Sequence, residues 1–395
     1  MLPMRDDFRR AQVAIAALFC FLGFQYVTWV SRLPLVKDEL GLTETELGLL
    51  LMACGAGAAA SFPLVAHLMK AMGAKRLGYA AAAALLLFLP AFAAAPTYPV
   101  ALAVVAADGV AVGCLNVAMN AQGAALEELH ERTAMAKMHA TFSAGSLAAA
   151  LLASLVQTVT AGLAAHFAVA AALLLAMLGV TRTGLPAGDR PAPQHGPENP
   201  AEKRAEKERR RWRPPSRLTL WMGCAMAFGT ITEGAMNDWS TLYLEDVADA
   251  APEVAPLGIA VVSVMMVVAR LFADGWRTRW GDGPVVGLGS ALAGTGLAVA
   301  VLAGGVVPAL LGFACVGLGV AAVTPCVYVA AAREGPDALS LVASMGTTGL
   351  LGGPAAIGFI AGAAGLAWGM AAVAASALLV SLCTTRIRWP ALSNA

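Results

Sequence analysis

The sequence has little charge for its length. Asp, Glu, Lys and Arg make up 13% of the 395 residues, and the net charge is +1, whereas soluble domains carry roughly 25% charged residues. Hydrophobic residues make up 59%, and the mean hydropathy is +0.72. A soluble protein of this composition could not cover its surface with polar groups. The composition therefore predicts an integral membrane protein, and the near-neutral charge argues against nucleic acid as a partner.

Paired cysteines and catalytic signatures are also missing. The seven cysteines stand singly in apolar segments, without a C-x-x-C pair, and are expected to be packing residues that form neither disulfides nor a metal site. The sequence contains no H-E-x-x-H, G-x-S-x-G or Walker-type phosphate loop, which argues against a metallopeptidase, a serine hydrolase and an ATP-driven pump. No cofactor is predicted, and an intramembrane enzyme is the least favoured class.

The sequence consists largely of long apolar runs. A helix needs roughly 20 apolar residues to cross the hydrocarbon core of a bilayer. The chain has six such runs in each half, so we predict an all-α membrane protein with 12 transmembrane helices. The predicted spans lie near 11–31, 46–66, 77–95, 99–123, 134–157 and 160–180, and near 218–244, 255–276, 284–304, 306–331, 338–362 and 365–385.

The positions of the basic residues predict the orientation of these spans. If the N-terminus is cytoplasmic, 24 of the 26 Lys and Arg residues fall on the cytoplasmic side, and only Arg32 and Lys37 face outward. Such an excess follows the positive-inside rule. We therefore predict a multi-pass protein of the cell inner (plasma) membrane, with both termini cytoplasmic.

A polar segment divides the chain into two predicted domains. Residues 1–180 would form one six-helix bundle, residues 181–217 a cytoplasmic linker, and residues 218–395 a second six-helix bundle. The first part of the linker is rich in Pro and Gly and is expected to be disordered. Its second part, "AEKRAEKERRRWR", is basic enough to lie against anionic lipid headgroups.

The two halves are weak repeats of one another. A shift of about 210 residues aligns Trp29 in "YVTWVSRLP" with Trp239 in "MNDWSTLYL", and a similar shift aligns "GVAVGCLNVAMN" with "CVGLGVAAVTPC". Internal repeats of this size are typical of secondary transporters, in which two bundles rock about a site at the membrane midplane. The repeats therefore favour transport over a membrane enzyme, which has no need of two similar halves.

The chain resembles the major facilitator superfamily over nearly its whole length. The family signature is a G-x-L-x-x-D-R-x-G-R-R-like run after the second helix. "ARLFADGWRTRWG" in the second half keeps Arg270, Asp274, Arg277, Arg279 and Gly281. "AHLMKAMGAKR" in the first half is similar, but Lys70 stands where the family has Asp. The resemblance implies two pseudo-symmetric six-helix bundles, a cavity lined by helices one, four, seven and ten, and gating roles for Arg270, Asp274 and Arg279.

Three shorter segments resemble the fucose-permease-like branch of that superfamily. They are "WVSRLP" in the first span, "VAMNAQG" in the fourth and "EGAMNDWSTLYL" in the seventh. This resemblance implies a sugar-like solute. Because solutes vary within a fold, it does not fix the cargo.

Polar side chains within the fourth span are the first candidate site residues. Asn116 and Asn120 are one helical turn apart, and Asp108 lies a little over two turns before Asn116. Polar groups at membrane depth are expensive and usually serve a pathway or a contact between helices. We predict Asp108 to be a proton-coupling acid and both asparagines to bind solute; amide contacts between helices are the alternative for the asparagines.

The seventh span contains the second set of candidates. Glu233 is expected near the midplane, with Asn237 one turn away on the same face, and Asp238 nearer the outer surface. A carboxyl at that depth can be neutral, or ionised and paired, so Glu233 is predicted to couple protons and to bind solute. By the pseudo-twofold relation, Asp238 is predicted to meet Arg32 in an outer gate. A solvated helix end is the alternative for Asp238.

Three further residues complete the predicted binding site. Gln25 and Trp29 are four residues apart in the first span and would present an amide and an aromatic ring to one solute. His139 begins the fifth span near its inner end, where a contact between helices is the alternative to a ligand.

Together these residues predict a proton-coupled secondary active transporter that works by alternating access. A small polar solute, neutral or cationic, is expected, because no Lys or Arg is predicted at the depth of Asp108 and Glu233. The expected partners are this solute, protons and the lipid bilayer, and the chain is expected to be a monomer. The alternative is a drug or metabolite exporter that works by proton antiport.

Overall fold

A computed structural model describes residues 3–130, 134–182, 184–185 and 215–389. Within these ranges the chain forms thirteen α-helices and no strand, which confirms the predicted all-α class. The predicted linker, 181–217, lies largely outside the described residues. The helices are α1 (Pro3–Val30), α2 (Leu33–Leu40), α3 (Glu44–Ala93), α4 (Tyr98–His130), α5 (Met135–Gln157), α6 (Leu163–Thr181), α7 (Arg217–Asp246), α8 (Leu257–Trp280), α9 (Asp282–Ala303), α10 (Val306–Val320), α11 (Val323–Glu334), α12 (Pro336–Ala364) and α13 (Leu366–Thr384).

Thirteen helices correspond to twelve spans, because α3 contains two spans, α10 and α11 together form one, and the short α2 forms none. The 50-residue α3 contains the second and third spans, and its backbone leaves the helical region at Gly73, where φ is 77°. That positive φ favours glycine. The tenth span is divided into α10 and α11 by a turn at Ala321 and Ala322. Pro325 lies in the first turn of α11, where its missing N–H group leaves no helix hydrogen bond unmade.

The short helix α2 was not predicted. It begins directly after Arg32, has Pro34 in its first turn and ends at Gly41 in the left-handed conformation. Both residues are usual at these positions, since Pro lacks the N–H that a first turn leaves unpaired and Gly tolerates positive φ. Eight residues are too few to cross a membrane, so α2 lies at the membrane surface.

Nine helical segments within the described part of the chain are long and apolar enough to be membrane spans. One of them is α3, which contains two. The remaining spans are α7 and α8. Their hydropathy is reduced because α7 contains Glu233, Asn237 and Asp238, and the apolar part of α8, Leu257–Ala273, is short. At 1.5 Å per residue both helices are still longer than the roughly 30 Å hydrocarbon core.

The contacts between helices repeat in the two halves. In the first half α1 packs against α5 and α6, and in the second half α7 packs in the same way against α12 and α13. The halves meet along α3 with α12 and along α5 with α8. These two interfaces are equivalent under the same pseudo-twofold relation, because they join the second span to the eleventh and the fifth to the eighth.

The two ends of the helix bundle form the two membrane faces, the terminal face and the distal face. The terminal face holds the start of α1, the end of α6, the start of α7 and the end of α13. The distal face holds α2 and the connections at 158–162, 247–256 and 304–305.

Glycines allow the helices of the first half to approach closely. A Cβ atom on Gly109 of α4 would overlap the carbonyl oxygen of Cys54, and one on Gly57 of α3 would overlap that of Ala106. The pair therefore packs backbone to backbone. Small residues at such contacts are a common feature of membrane helix pairs, because hydrocarbon chains supply no hydrophobic force between helices.

We predict that Gly109→Ala destabilises the protein, because α3 and α4 must separate to admit a single methyl group. Overpacking of this kind costs on the order of 1–3 kcal/mol. The matched control is Gly179→Ala in α6, where an added Cβ would meet no atom within 4 Å. The thermal unfolding midpoint of purified protein should fall for Gly109→Ala and stay level or rise for Gly179→Ala. Equal midpoints would contradict the close packing described here.

Candidate functional site

A cluster of polar side chains, all buried except the partly exposed Tyr26, lies around α1 in the distal half of the membrane. It comprises Gln25, Tyr26, Cys54, Asp108 and Asp238, called here the acid cluster. Gln25 Nε2 donates a hydrogen bond to Asp108 Oδ1 at 3.0 Å, and Tyr26 Oη donates to Asp238 Oδ1 at 2.6 Å. The thiol of Cys54 lies 4.0 Å from Asp108 Oδ2. Asp108 is 3% exposed and Asp238 is 2% exposed.

The position of α1 explains how one helix reaches both acids. Consecutive residues of a helix point about 100° apart, so Gln25 and Tyr26 face different neighbours. Gln25 faces Asp108 on α4 of the same half, and Tyr26 faces Asp238 on α7 of the other half. The Tyr26–Asp238 hydrogen bond, which is partly buried, therefore joins the two halves. Among the described residues neither carboxyl forms an ion pair with a Lys, Arg or His side chain.

The predicted contact between Arg32 and Asp238 is not formed in this structure. Arg32 is buried and donates to the carbonyl oxygen of Ala161, while Asp238 accepts from Tyr26. Asp238 is also not a solvated helix end. It lies eight residues before the end of α7, about 12 Å along the helix, and this places it inside the bundle beside α1.

Contacts at the distal face hold the two halves together. Lys37 Nζ of α2 lies 2.5 Å from Asp246 Oδ2 at the end of α7 and 3.3 Å from Glu44 Oε1. The Ser154 hydroxyl of α5 donates to the carbonyl oxygen of Glu253 at 2.5 Å. Lys37 thus binds one acid of each half at the distal face.

Small residues close the same interface between α3 and α12. A Cβ atom on Gly48 would lie 2.9 Å from the Cα atom of Gly358, and the Thr45 hydroxyl lies 3.5 Å from the Gly358 carbonyl oxygen. The two helices therefore touch without intervening side chains at their distal ends. Together with the Lys37 and Ser154 contacts, this packing closes the distal side of the interface.

A second polar group lies nearer the middle of the membrane. Arg270 Nη1 donates to Ser143 Oγ of α5 at 3.0 Å, and Arg270 Nη2 lies 3.5 Å from Glu233 Oε1 of α7. Arg270 is the fourteenth of the 24 residues of α8, and Glu233 is the seventeenth of the 30 residues of α7. We call Ser143, Glu233 and Arg270 the central triad. It spans the interface, because Ser143 belongs to the first half and the other two to the second.

The central triad corrects one prediction from the sequence. No Lys or Arg was expected at the depth of Glu233, and Arg270 was assigned to the cytoplasmic end of its span. In the structure the guanidinium reaches back to mid-depth and pairs with Glu233. The Arg270 side chain is 37% exposed and that of Glu233 is 31% exposed, so the pair is accessible, in contrast to the dry acid cluster.

The predicted amide residues Asn116, Asn120 and Asn237 are all at least partly exposed. Asn116 is exposed and Asn120 partly so, and Asn120 Nδ2 donates to both the backbone and the side-chain oxygen of Asn116 at 2.8 Å. Asn237 Nδ2 donates to the Glu233 carbonyl oxygen at 3.1 Å. Within the described part of the chain, neither Asn116 nor Asn120 forms a side-chain hydrogen bond to another helix.

Trp29 and His139, the predicted aromatic and imidazole ligands, differ in their exposure. Trp29 is fully buried against the rings of Phe88 and Phe92, so it faces no cavity in this conformation. His139 is exposed, and its ring packs edge-on against Phe19 with centroids 4.7 Å apart. It also lies within electrostatic range of Arg270, which relates it to the central triad.

The signature run in the second half of α8 contributes only Arg270 to these two groups, as far as the described residues show. Arg279 is exposed at the terminal face, and Arg277 Nε donates to Asp282 Oδ1 at 2.8 Å. The side chain of Asp274, a predicted gating residue, lies outside the described part of the structure. The roles given to Asp274 and Arg279 stay predictions.

Sequence reasoning missed Tyr26, Cys54 and Ser143. Tyr26 carried a signal, because it adjoins Gln25 within an apolar span and tyrosine occurs only five times in the chain. Cys54 and Ser143 are too common as packing residues to be selected by type. Among the described residues no group of three or more His, Cys, Asp or Glu side chains could hold a metal ion.

Comparisons with known proteins agree with this architecture. The sequence model of one protein family, the Major Facilitator Superfamily, matches residues 13–337. An uncharacterized MFS-type transporter of Yersinia pestis is 28% identical over 94% of each chain, and the uncharacterized transporter y4wD of Sinorhizobium fredii is 30% identical over 89% of this chain and 91% of its own.

Membrane protein MosC of Rhizobium meliloti is 28% identical over 93% of this chain and 88% of its own. Among solved structures, the nucleoside transporter NupG superposes with a TM-score of 0.72 over 95% of this chain and 98% of its own, at 15% identity. The structure of tetrameric PepTSo2 superposes with a TM-score of 0.74 over 96% of this chain and 98% of its own, at 14% identity. Both likenesses show the twelve-helix fold. Since the family model covers most of the chain, this protein belongs to the Major Facilitator Superfamily and is a membrane transporter, not an enzyme.

Proposed function

We propose that the protein is a proton-coupled secondary active transporter that moves a small, neutral, polar organic solute by alternating access. The observation that carries the proposal is the acid cluster, in which adjacent residues of α1 bind one carboxyl from each half. The proposal places the terminal face in the cytoplasm, because the basic residues collect there, and takes the monomer as the working unit, because one chain contains both halves.

The two carboxyls of the acid cluster suit a proton carrier. Each has only neutral partners, Gln25 or Tyr26 with the Cys54 thiol nearby. A dry carboxyl without a cation beside it is held more cheaply as the neutral acid, whereas contact with water permits ionisation. Opening of the distal face would separate Tyr26 from Asp238 and admit water to both acids. Proton release and gate opening would then be the same event.

Alternating access is supported by where the halves touch. Their contacts run from the distal face, where Lys37 binds Asp246 and Gly48 packs against Gly358, to the central triad, where Arg270 binds Ser143. The central triad is accessible, with side-chain exposures of 31% for Glu233 and 37% for Arg270. This pattern fits a state that is closed on the distal side and open toward the terminal side. Rocking of the halves about the central triad would give the opposite state.

The central triad favours a neutral solute over a cationic one. A lone cation would meet Arg270, and a lone anion would meet Glu233, so each would face an unfavourable like charge. Neighbouring hydroxyl groups, as in a sugar, can donate to Glu233 and Asn237 and accept from Arg270 and Asn116. We therefore propose Glu233 as a solute-binding residue and assign proton coupling first to Asp108 and Asp238.

The solute class is tested first, by a thermal-shift screen of purified protein. Neutral polyhydroxy compounds and nucleosides are compared with amines and with carboxylates. A ligand at 100 times its dissociation constant stabilises the folded state by about 2.7 kcal/mol, so binders should raise the unfolding midpoint measurably. We expect hits among neutral polyols and none among amines, and loss of the response in Arg270→Gln. Stabilisation by amines that persists in Arg270→Gln would contradict this assignment.

Proton coupling is tested in proteoliposomes with a solute from that screen. Asp108→Asn and Asp238→Asn should abolish accumulation driven by a pH gradient while exchange of preloaded solute continues, because the solute site is intact. Glu233→Gln should instead weaken solute binding, and so reduce both activities. The matched control is Asp337→Asn, an exposed acid at the terminal face. Full pH-driven accumulation by Asp238→Asn would refute the proposed coupling site.

The link between the acid cluster and the gate is tested by Tyr26→Phe, which removes only the hydroxyl that joins the halves. One hydrogen bond contributes about 1 kcal/mol, so the population open at the distal face should rise about fivefold. Electron-spin distances between labels at exposed Asp38 and Ala251 report this opening, with the native cysteines other than buried Cys54 replaced by serine. The control is Tyr98→Phe, whose hydroxyl contacts Glu46 within one half. Identical distance distributions for both variants would rule out this link.

A further inference from the structure

A buried cluster of unpartnered nitrogen atoms lies at the distal end of α6, apart from the acid cluster and the central triad. Arg32 is 1% exposed, and only its Nη2 atom has a partner, the carbonyl oxygen of Ala161. Its Nε and Nη1 atoms have none among the described residues, and neither ring nitrogen of His166, which is fully buried, has one. An unpaired buried charge is among the costliest features that a fold can retain.

The start of α6 directs these groups to one place. Ala161 directly precedes Gly162, the N-cap residue of α6, which offers no side chain to cap the helix. The first backbone N–H groups of a helix have no partner within it and carry partial positive charge. Helix side chains lean toward the N-terminus, so the ring of His166, four residues after Gly162, leans toward the same end. His166 and Arg32 are within electrostatic range of each other.

Nearby carboxylates do not supply the missing partner. Glu245 and Glu39 are within electrostatic range of Arg32, but neither forms an ion pair with it within 4.0 Å. Burial lowers the pKa of the Arg32 guanidinium from its ordinary value, against the opposing effect of the Glu245 and Glu39 charges. The neighbouring cation, Lys37, is already bound to Asp246 and Glu44. Glu39 is exposed and Glu245 partly so, and solvent screens such charges more than it screens buried donors.

We propose that Arg32, His166 and the N-terminus of α6 form a binding site for a small inorganic anion of the size of chloride. Convergent N–H donors at a helix N-terminus are the usual construction of an anion site. The enclosure of Arg32 favours a monatomic ion over a larger oxyanion. The site lies within the first half and does not require that half to move, so it is independent of the proposed solute and of proton coupling. Because Arg32 directly precedes α2, the anion would stabilise the helix whose Lys37 closes the distal face.

The test uses purified full-length protein at constant ionic strength, with chloride or bromide replaced in steps by gluconate. We expect a saturable rise of the unfolding midpoint with chloride and with bromide, and none with gluconate, which is too large to enter. Arg32→Gln should weaken the apparent halide affinity about tenfold or more, since it removes charge-assisted hydrogen bonds. The matched control is Arg9→Gln, an exposed arginine at the terminal face, which should respond like the wild type.

Two further measurements keep the test decisive if Arg32→Gln does not fold. His166→Phe fills the same volume without donors and should also weaken the halide response. Anomalous scattering from bromide in wild-type crystals should place a peak between Arg32 and His166. Midpoints that are equal in chloride and gluconate, or a bromide map without that peak, would overturn the proposal. So would a Glu245→Gln variant that loses as much stability as Arg32→Gln without any halide response, because Glu245 would then be the true partner.

Discussion

The hydrocarbon core of a membrane offers no water to a polar group, and every other feature of this protein is arranged around that constraint. Each ionisable side chain inside the bundle must find a partner on another helix or be held as a neutral group. Three carboxyls among the described side chains lie at membrane depth, and they have two kinds of partner. Asp108 and Asp238 receive neutral partners in a dry site, and Glu233 receives a cation in an accessible one.

The carboxyls with neutral partners and the carboxyl paired with a cation lie in two different layers of the molecule. The acid cluster lies in the distal half, where the helices touch closely and glycines remove the space for side chains. The central triad lies deeper, where the side chains of Arg270 and Glu233 are partly exposed. A bound solute and a bound proton would therefore occupy different layers. Helix α7 carries an acid of each layer, with Glu233 and Asp238 little more than one turn apart, so a movement of this helix acts on both.

Helix α1 has a corresponding position in the first half. It contacts α5 and α6 along its length and presents Gln25 and Tyr26 to acids of both halves. The connection that follows it contains Arg32 and leads into α2, whose Lys37 binds the end of α7. One continuous stretch of chain, from Gln25 to Lys37, thus contacts the other half in the membrane and at its surface.

The sequence by itself determined that the protein spans the membrane, that twelve helices cross it, that the halves are repeats, and that Asp108 and Glu233 lie among apolar residues. These properties follow from hydropathy and spacing, which are local. Only the tertiary structure decided the partners. Arg270 was assigned by position to a helix end, yet its long side chain reaches Glu233 at mid-depth. Asp238 was matched to Arg32 by symmetry, yet packing against α1 gives it Tyr26. Partners depend on how helices rotate and how far side chains extend, and neither quantity is present in the order of residues along one span.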